Sequence, residues 1–253
     1  GLALRWTMDR IAKVAALAAT ANNWATVVEV ANTIEHDALE ALSLALAPWP
    51  SDLRIAPLEW FFPQPQPQLS LARTLHAQRC SLFARQIHRL TRSPFAANLE
   101  TLCLSECRMH TEGVLAIAES PYLTRLTRLT LHKCCVTDEG LRALTDSTLL
   151  VSLRELDVRS NELTKVGIRH LANSPHLAHL TTLELSGNAV RCEGTRALAE
   201  SPHVGPLHTL DLAGCQIGYD GAQALAGSMN LSCLTSLSLA RNSIGHAGII
   251  ALA

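Results

Sequence analysis

A period of 27 residues runs through the C-terminal two thirds of this chain and constrains its fold more than any other feature. Ser93, Ser120, Ser147, Ser174, Ser201 and Ser228 open successive copies of one pattern. Within each copy the spacing L-x-x-L-x-L follows, from Leu99/Leu102/Leu104 through Leu126/Leu129/Leu131 and Leu153/Leu156/Val158 to Leu234/Leu237/Leu239. Three positions later stands Cys107, Cys134, Asn161, Asn188, Cys215 or Asn242. Glycine then returns at Gly113, Gly140, Gly167, Gly194, Gly221 and Gly248. Six copies in phase with no insertion exclude chance.

Two periodicities coexist in each copy. The L-x-L alternation has the period of a strand, with leucines to one side and the intervening residues to the other. Apolar residues then recur at helical spacing, as in Val136, Leu141 and Leu144. Ser-Pro pairs at 93–94, 120–121, 174–175 and 201–202 follow the helices, where proline stops the hydrogen-bond ladder. One strand–turn–helix unit cannot bury its own leucines. Stacking buries them in a parallel sheet, and because a helix is wider than a strand the stack curves. The expected fold class is therefore an α/β solenoid, strands on the concave side and helices on the convex side.

These residues resemble leucine-rich repeats of the ribonuclease-inhibitor-like kind, with Leu180–Pro202 as the clearest copy and residues 93–253 covered. The Ser-Pro joints and the helix ends resemble bacterial versions of the repeat. The resemblance implies a curved horseshoe and a role in binding other proteins.

The Asn/Cys position reads as a buried donor for carbonyls where the chain leaves the strand. Cys107 and Cys134 fall in adjacent copies, so a redox pair, or a metal site with His110, His132, Cys103 and Cys135, stands beside the structural reading. Structural thiols are preferred because C-x-x-C pairs are missing. No metal and no cofactor is expected, and eight cysteines in 253 residues point to reduced thiols in a cytoplasm, with a secreted effector as the alternative. On the helices, Glu139, Arg142 and Asp146, like Glu193, Arg196 and Glu200, are spaced for pairing along one solvated face.

The first third is different material. All four tryptophans, Trp6, Trp24, Trp49 and Trp60, lie there. Residues 1–47 read as an α-helical region, and residues 48–68, with six of the 11 prolines, as a connector. Its end, Pro63 to Gln68, favours an extended linker or packed strap. Trp60-Phe61-Phe62 reads either as a docking motif or as apolar cover for the first repeat. Residues 69–92 read as a capping helix ahead of six repeats over 93–253. Arg73, Arg79, Arg85, Arg89 and Arg92 make this cap a basic patch, since no acid occurs between Glu59 and Glu100. The patch is either a solvated face or a site for an acidic partner. Arg5, Arg10 and Lys13 ahead of Ala19-Thr20-Ala21 imitate a secretory signal, but Asp9 and the alanine-rich run favour an amphipathic helix.

Binding residues are expected where outward strand positions form columns. One column reads Cys103, Thr130, Asp157, Glu184, Asp211 and Ser238, and the next includes Arg128 and Glu155. Their acids form a negative stripe of about 15 Å, suited to a basic partner segment. The 21 basic and 22 acidic residues lack the footprint of a nucleic-acid binder, and the apolar runs fall short of the roughly 20 residues that span a bilayer. Catalytic motifs do not occur, so no enzyme is expected. The expected function is a non-catalytic interaction scaffold, a recognition or sensor segment of a larger bacterial protein. A substrate-recognition adaptor of a ubiquitin-ligase-type complex and a GTPase regulator are the alternatives that the resemblance implies. The chain ends at Ala253 within the sixth helical pattern with no polar cap, so an end-on contact with further repeats or another chain is expected there.

Overall fold

A computed structural model describes residues 2–57, 60, 66–79 and 82–252. Eight parallel strands form one open sheet in sequence order. They are β1 (Ile55–Ala56), β2 (Thr74–His76), β3 (Thr101–Cys103), β4 (Arg128–Thr130), β5 (Glu155–Asp157), β6 (Thr182–Glu184), β7 (Thr209–Asp211) and β8 (Ser236–Ser238). From β2 onward each register step is 27 residues: Leu75, Leu102, Leu129, Leu156, Leu183, Leu210 and Leu237 stand side by side. The molecule is an α/β solenoid of horseshoe type, with the sheet as its inner layer.

Helices form the outer layer. Ahead of the repeats lie α1 (Leu2–Ala15), α2 (Ala21–Ala31) and α3 (Leu39–Ala45). Within the coils lie α4 (Ala84–Thr91), α5 (His110–Ala118), α6 (Asp138–Asp146), the short α7 (Leu149–Ser152), α8 (Lys165–Asn173), α9 (Arg191–Glu200), α10 (Gly218–Ala226) and α11 (Gly245–Leu252). The core runs unbroken between the layers. The central strand leucine is 0% exposed at Leu102 and Leu129, 1% at Leu156, 0% at Leu183 and 1% at Leu210, then 37% at Leu237. The leucine is hidden by the next coil, since Leu237 has the same local sequence and no following strand beside it.

Residues 69–92 do not form the expected capping helix. A 3-10 turn over Pro67–Leu71, strand β2 and helix α4 make a further coil instead. Its leucine positions hold Ala72, Leu75 and Ala77, all fully buried, so small residues disguise the pattern while keeping its face apolar. Backbone geometry carries the same period: Arg79, Glu106, Lys133, Ser160, Gly187, Gly214 and Arg241, each 27 residues from the next, all have positive φ. The cap belongs to α1–α3, whose Val27, Leu42 and Leu46 are fully buried. Trp24, Trp49 and Trp60 cluster with ring centroids 6.2 and 6.3 Å apart. Trp60 is 2% exposed and donates Nε1–H to Asn32 Oδ1 at 2.8 Å, which removes it as an exposed docking residue. Phe61, Phe62 and the start of the Pro-Gln run lie outside the described residues.

Two side-chain ladders tie coil to coil. Asn188 Nδ2 donates to Val158 O and Leu185 O at 2.9 and 2.8 Å, while its Oδ1 accepts from Asn161 N and Leu163 N at 3.1 and 3.2 Å. Asn161 and Asn242 repeat this arrangement. At the other joint the repeated serine does more than precede a proline. The hydroxyls of Ser120, Ser174, Ser201 and Ser228 donate to carbonyls of the preceding coil, Thr91 O, Thr145 O, Ala172 O and Ala199 O, at 2.6–3.1 Å. These carbonyls lie at helix C-termini, which lack intrahelical partners. At 120–121, 174–175 and 201–202 the Ser-Pro dipeptide thus ends one helix and satisfies its predecessor, and Ser228, followed by Met229, makes the same bond without the proline.

Candidate interaction surface

The concave face is built from the two outward residues of each strand and the residue beyond it. Alternation along L-x-L sends Thr101 and Cys103, or Glu155 and Asp157, outward while the leucine between them faces the core. Parallel pairing in register then aligns His76, Cys103, Thr130, Asp157, Glu184, Asp211 and Ser238 in one column. Thr74, Thr101, Arg128, Glu155, Thr182, Thr209 and Ser236 form the neighbouring column.

The expected acidic residues come together, but in company. Arg128 donates Nε–H and Nη2–H to the two carboxylate oxygens of Glu155 at 2.6 and 2.7 Å. Arg159 spans two strands, reaching Asp157 at 3.0 and 2.7 Å and Glu184 at 2.8 Å. Two of the column's three carboxylates, Asp157 and Glu184, therefore share a single guanidinium. Glu184 has its acidity weakened by partial burial first; Arg159 opposes this, and the like charges of Asp157, Asp211 and Glu155 add to it. Asp211 Oδ1 accepts from Ala213 N at 2.9 Å, and among the described residues no cation lies within 4.0 Å of Asp211. Arg159 escaped the sequence reading because it sits past the strand, yet it is two residues after Asp157 and so shares its face.

Mid-face the surface is shallow, a hollow of about 110 Å³ over Arg128, Glu155, Asp157, Arg159 and Glu184. A larger hollow of about 320 Å³ lies towards the cap, lined by Asp52, His76, Glu100, Thr101 and Arg128 among others. Burial, then Arg128, favours the neutral form of His76.

The five arginines expected as one basic patch are divided. Arg73 lies 3.4 Å from Glu100, and Arg79 lies 3.1 Å from Glu106. Both acids stand 27 residues on, so a segment without acids in sequence acquires them from the next coil. Arg85 and Arg89 lie on α4 with Arg92 at its C-terminal end, all three exposed. The helix pairs are divided too: Arg142 lies 3.6 Å from Asp146, whereas Glu193 pairs with Lys165 of the preceding coil.

The cysteines in the ladder act as thiol donors. Cys107 Sγ reaches Ala77 O at 3.1 Å, Cys134 Sγ reaches Leu104 O at 2.7 Å and Cys215 Sγ reaches Leu185 O at 3.3 Å. Burial pushes Cys134 up to about 12 and Cys215 up to about 11. Among the described residues no group of three or more His, Cys, Asp or Glu side chains is arranged to hold a metal ion. No described helix is long and apolar enough to cross a membrane.

Stacked strand–helix coils, an Asn/Cys ladder and an open inner face define a leucine-rich-repeat solenoid. The sequence profile of the family described as Leucine Rich repeat matches residues 96–118, 122–144, 150–172, 176–199, 206–226 and 230–253, and the chain belongs to that family. No curated protein matches the chain. Among solved structures, it is similar to the crystal structure of an internalin from Listeria monocytogenes, at 19% identity and a TM-score of 0.37. The similarity covers 74% of this chain and 66% of the internalin chain.

Proposed function

We propose that this chain is a non-catalytic protein-interaction scaffold whose concave face captures an extended partner segment carrying basic side chains. The observation that carries the reading is the in-register column Asp157, Glu184 and Asp211, three carboxylates of which Arg159 pairs with the first two and, among the described residues, no cation pairs with the third. Two negative charges remain, and those of Glu184 and Asp211 lie on neighbouring strands about 4.8 Å apart. A lysine or arginine entering there gains a charge-assisted contact that the fold itself does not supply. The shallow mid-face hollow suits a chain laid across strands better than an enclosed small molecule, which needs about 300 Å³ or more.

The ribonuclease-inhibitor-like subfamily, a bacterial origin and a cytoplasmic setting belong to the same proposal. The 27-residue coil with an α-helix on its outer side and the buried ladder thiols support it.

The test is capture of proteins from a cell extract on the immobilised chain, compared with the Asp157→Lys/Glu184→Lys/Asp211→Lys variant. Partners bound through the stripe are lost from the variant. An unchanged set of captured proteins refutes the reading.

A further inference from the structure

We propose that the outer face of α4, with the cleft between α4 and α5, is a second docking surface, for an acidic peptide segment carrying one apolar side chain. Repetition supplies the comparison. Helices α5, α6, α9 and α10 each carry at least one acid, and α8 pairs Lys165 with Glu193. Helix α4 has no acid at all, and Arg85, His88, Arg89 and Arg92 are exposed along it. Among the described residues, no carboxylate lies within 4.0 Å of Arg85 or Arg92. The coil's other two arginines are already neutralised by Glu100 and Glu106. Two cations without a carboxylate within 4.0 Å, Arg85 in the first turn of α4 and Arg92 just past its last, on a helix about 12 Å long, create a field that a short acidic segment can match.

Beside these cations lies a cleft of about 360 Å³, lined by His88, Thr91, Arg92, Ala116, Pro121 and Tyr122, with Glu119 also on its rim. Its volume accommodates a large side chain, and Tyr122 in its lining offers an aromatic ring to an aromatic guest. Glu119 fixes the arrangement: the apolar residue of the guest, and not a carboxylate, faces that part of the rim. Phe83, 60% exposed just ahead of α4, extends the apolar contact at the other end. A peptide is favoured over a nucleic acid because a chain of net charge −1 lacks the overall positive charge on which sequence-independent nucleic-acid binding depends. The surface lies on the helical side, so it operates independently of the concave face.

Titration of the full chain with a labelled glutamate-rich peptide holding one central phenylalanine tests this, with fluorescence anisotropy as the readout. Saturable binding that strengthens as salt is lowered is expected. The Arg85→Glu/Arg92→Glu variant should weaken it by about tenfold or more. Tyr122→Ala should weaken the phenylalanine peptide and leave an all-glutamate peptide unchanged. Arg169→Glu/Arg196→Glu, on exposed positions of α8 and α9, should leave binding as it is. Absence of saturation, an equal loss in the α8/α9 variant, or tighter binding of a single-stranded oligonucleotide would overturn the proposal. Reversal of the concave acids should not alter this binding, which separates the proposal from the concave reading.

Discussion

Arg128 and Glu155, 27 residues apart, face each other across β4 and β5 through two hydrogen bonds of 2.6 and 2.7 Å. In a solenoid of fixed period, positions i and i+27 are neighbours, as i and i+4 are on a helix. Arg73 with Glu100 and Arg79 with Glu106 follow the same rule. All three pairs tie one coil to the next.

The Arg128 pair is half-exposed, with side-chain exposures of 49% and 38%, so its effect on stability is small. Arg128→Ala should cost under about 1 kcal/mol. Arg128→Glu should cost about 1 kcal/mol by placing two carboxylates opposite each other. The Arg128→Glu/Glu155→Arg swap should return within ~0.5 kcal/mol of the parent, and urea midpoints of the parent, Arg128→Glu, Glu155→Arg and the swap measure this cycle. A swap as unstable as the single charge reversal would show that the two residues do not act as a pair.

The Asn/Cys ladder predicts unequal effects at equivalent positions. Asn188 makes four bonds from a site that is 3% exposed, whereas Cys215 makes one good thiol bond to Leu185 O and a longer one, 3.7 Å, to Ala213 O. Asn188→Ala strands the amides of Asn161 and Leu163, while Val158 O keeps its bond from Asn161 Nδ2 and Leu185 O that from Cys215 Sγ, and it should cost on the order of 3 kcal/mol. Cys215→Ala removes a weak donor and a small apolar volume, for about 1 kcal/mol. Chemical denaturation distinguishes them, and equal losses would mean that the asparagine bonds contribute nothing beyond packing.

Thiol chemistry separates by depth. Cys134 and Cys215, raised to about 12 and about 11 by burial, stay protonated at neutral pH, and the thiolate is the reactive form. Cys233 is exposed. Alkylation of the native chain near pH 8 should modify Cys233 rapidly and leave Cys107, Cys134 and Cys215 untouched until denaturant is added. Peptide mass mapping reads the sites, and early labelling of Cys134 would contradict the burial argument.

How far the sequence reveals this architecture depends on side-chain size. Where leucine fills the repeat positions, from Leu99 onward, the strand and helix of each coil are legible in order. The coil at 69–92 was hidden because alanine occupies two of its three leucine positions and Gln86 replaces the repeated glycine. Its arginines then dominated the pattern. The concave columns could be listed by counting 27, since strand alternation fixes which residues face outward. Charge pairing could not, because Arg159 reaches Asp157 and Glu184 from beyond the strand end. The serine ladder was half visible: Ser-Pro marked the helix stops, but the bond from Ser201 Oγ to Ala172 O needs the stacked coils to exist.

The turn after each strand offers a last test, since one position takes a left-handed backbone in every coil. Gly187 and Gly214 meet this at φ 71° and 65°, while Lys133, at φ 54°, meets it against the preference of a residue with a Cβ. Lys133 is exposed, so its side chain is dispensable for packing. Lys133→Gly relieves about 1–2 kcal/mol of backbone strain, offset by roughly 0.4–1 kcal/mol of added freedom in the unfolded chain. The net gain should be on the order of 0.5–1 kcal/mol. The reverse change, Gly187→Ala, adds the strain and brings a Cβ to 3.0 Å from Ser160 Oγ, so it should cost at least about 1 kcal/mol. Thermal unfolding of the two variants should move in opposite directions, and a destabilised Lys133→Gly would mean that the lysine side chain holds the turn.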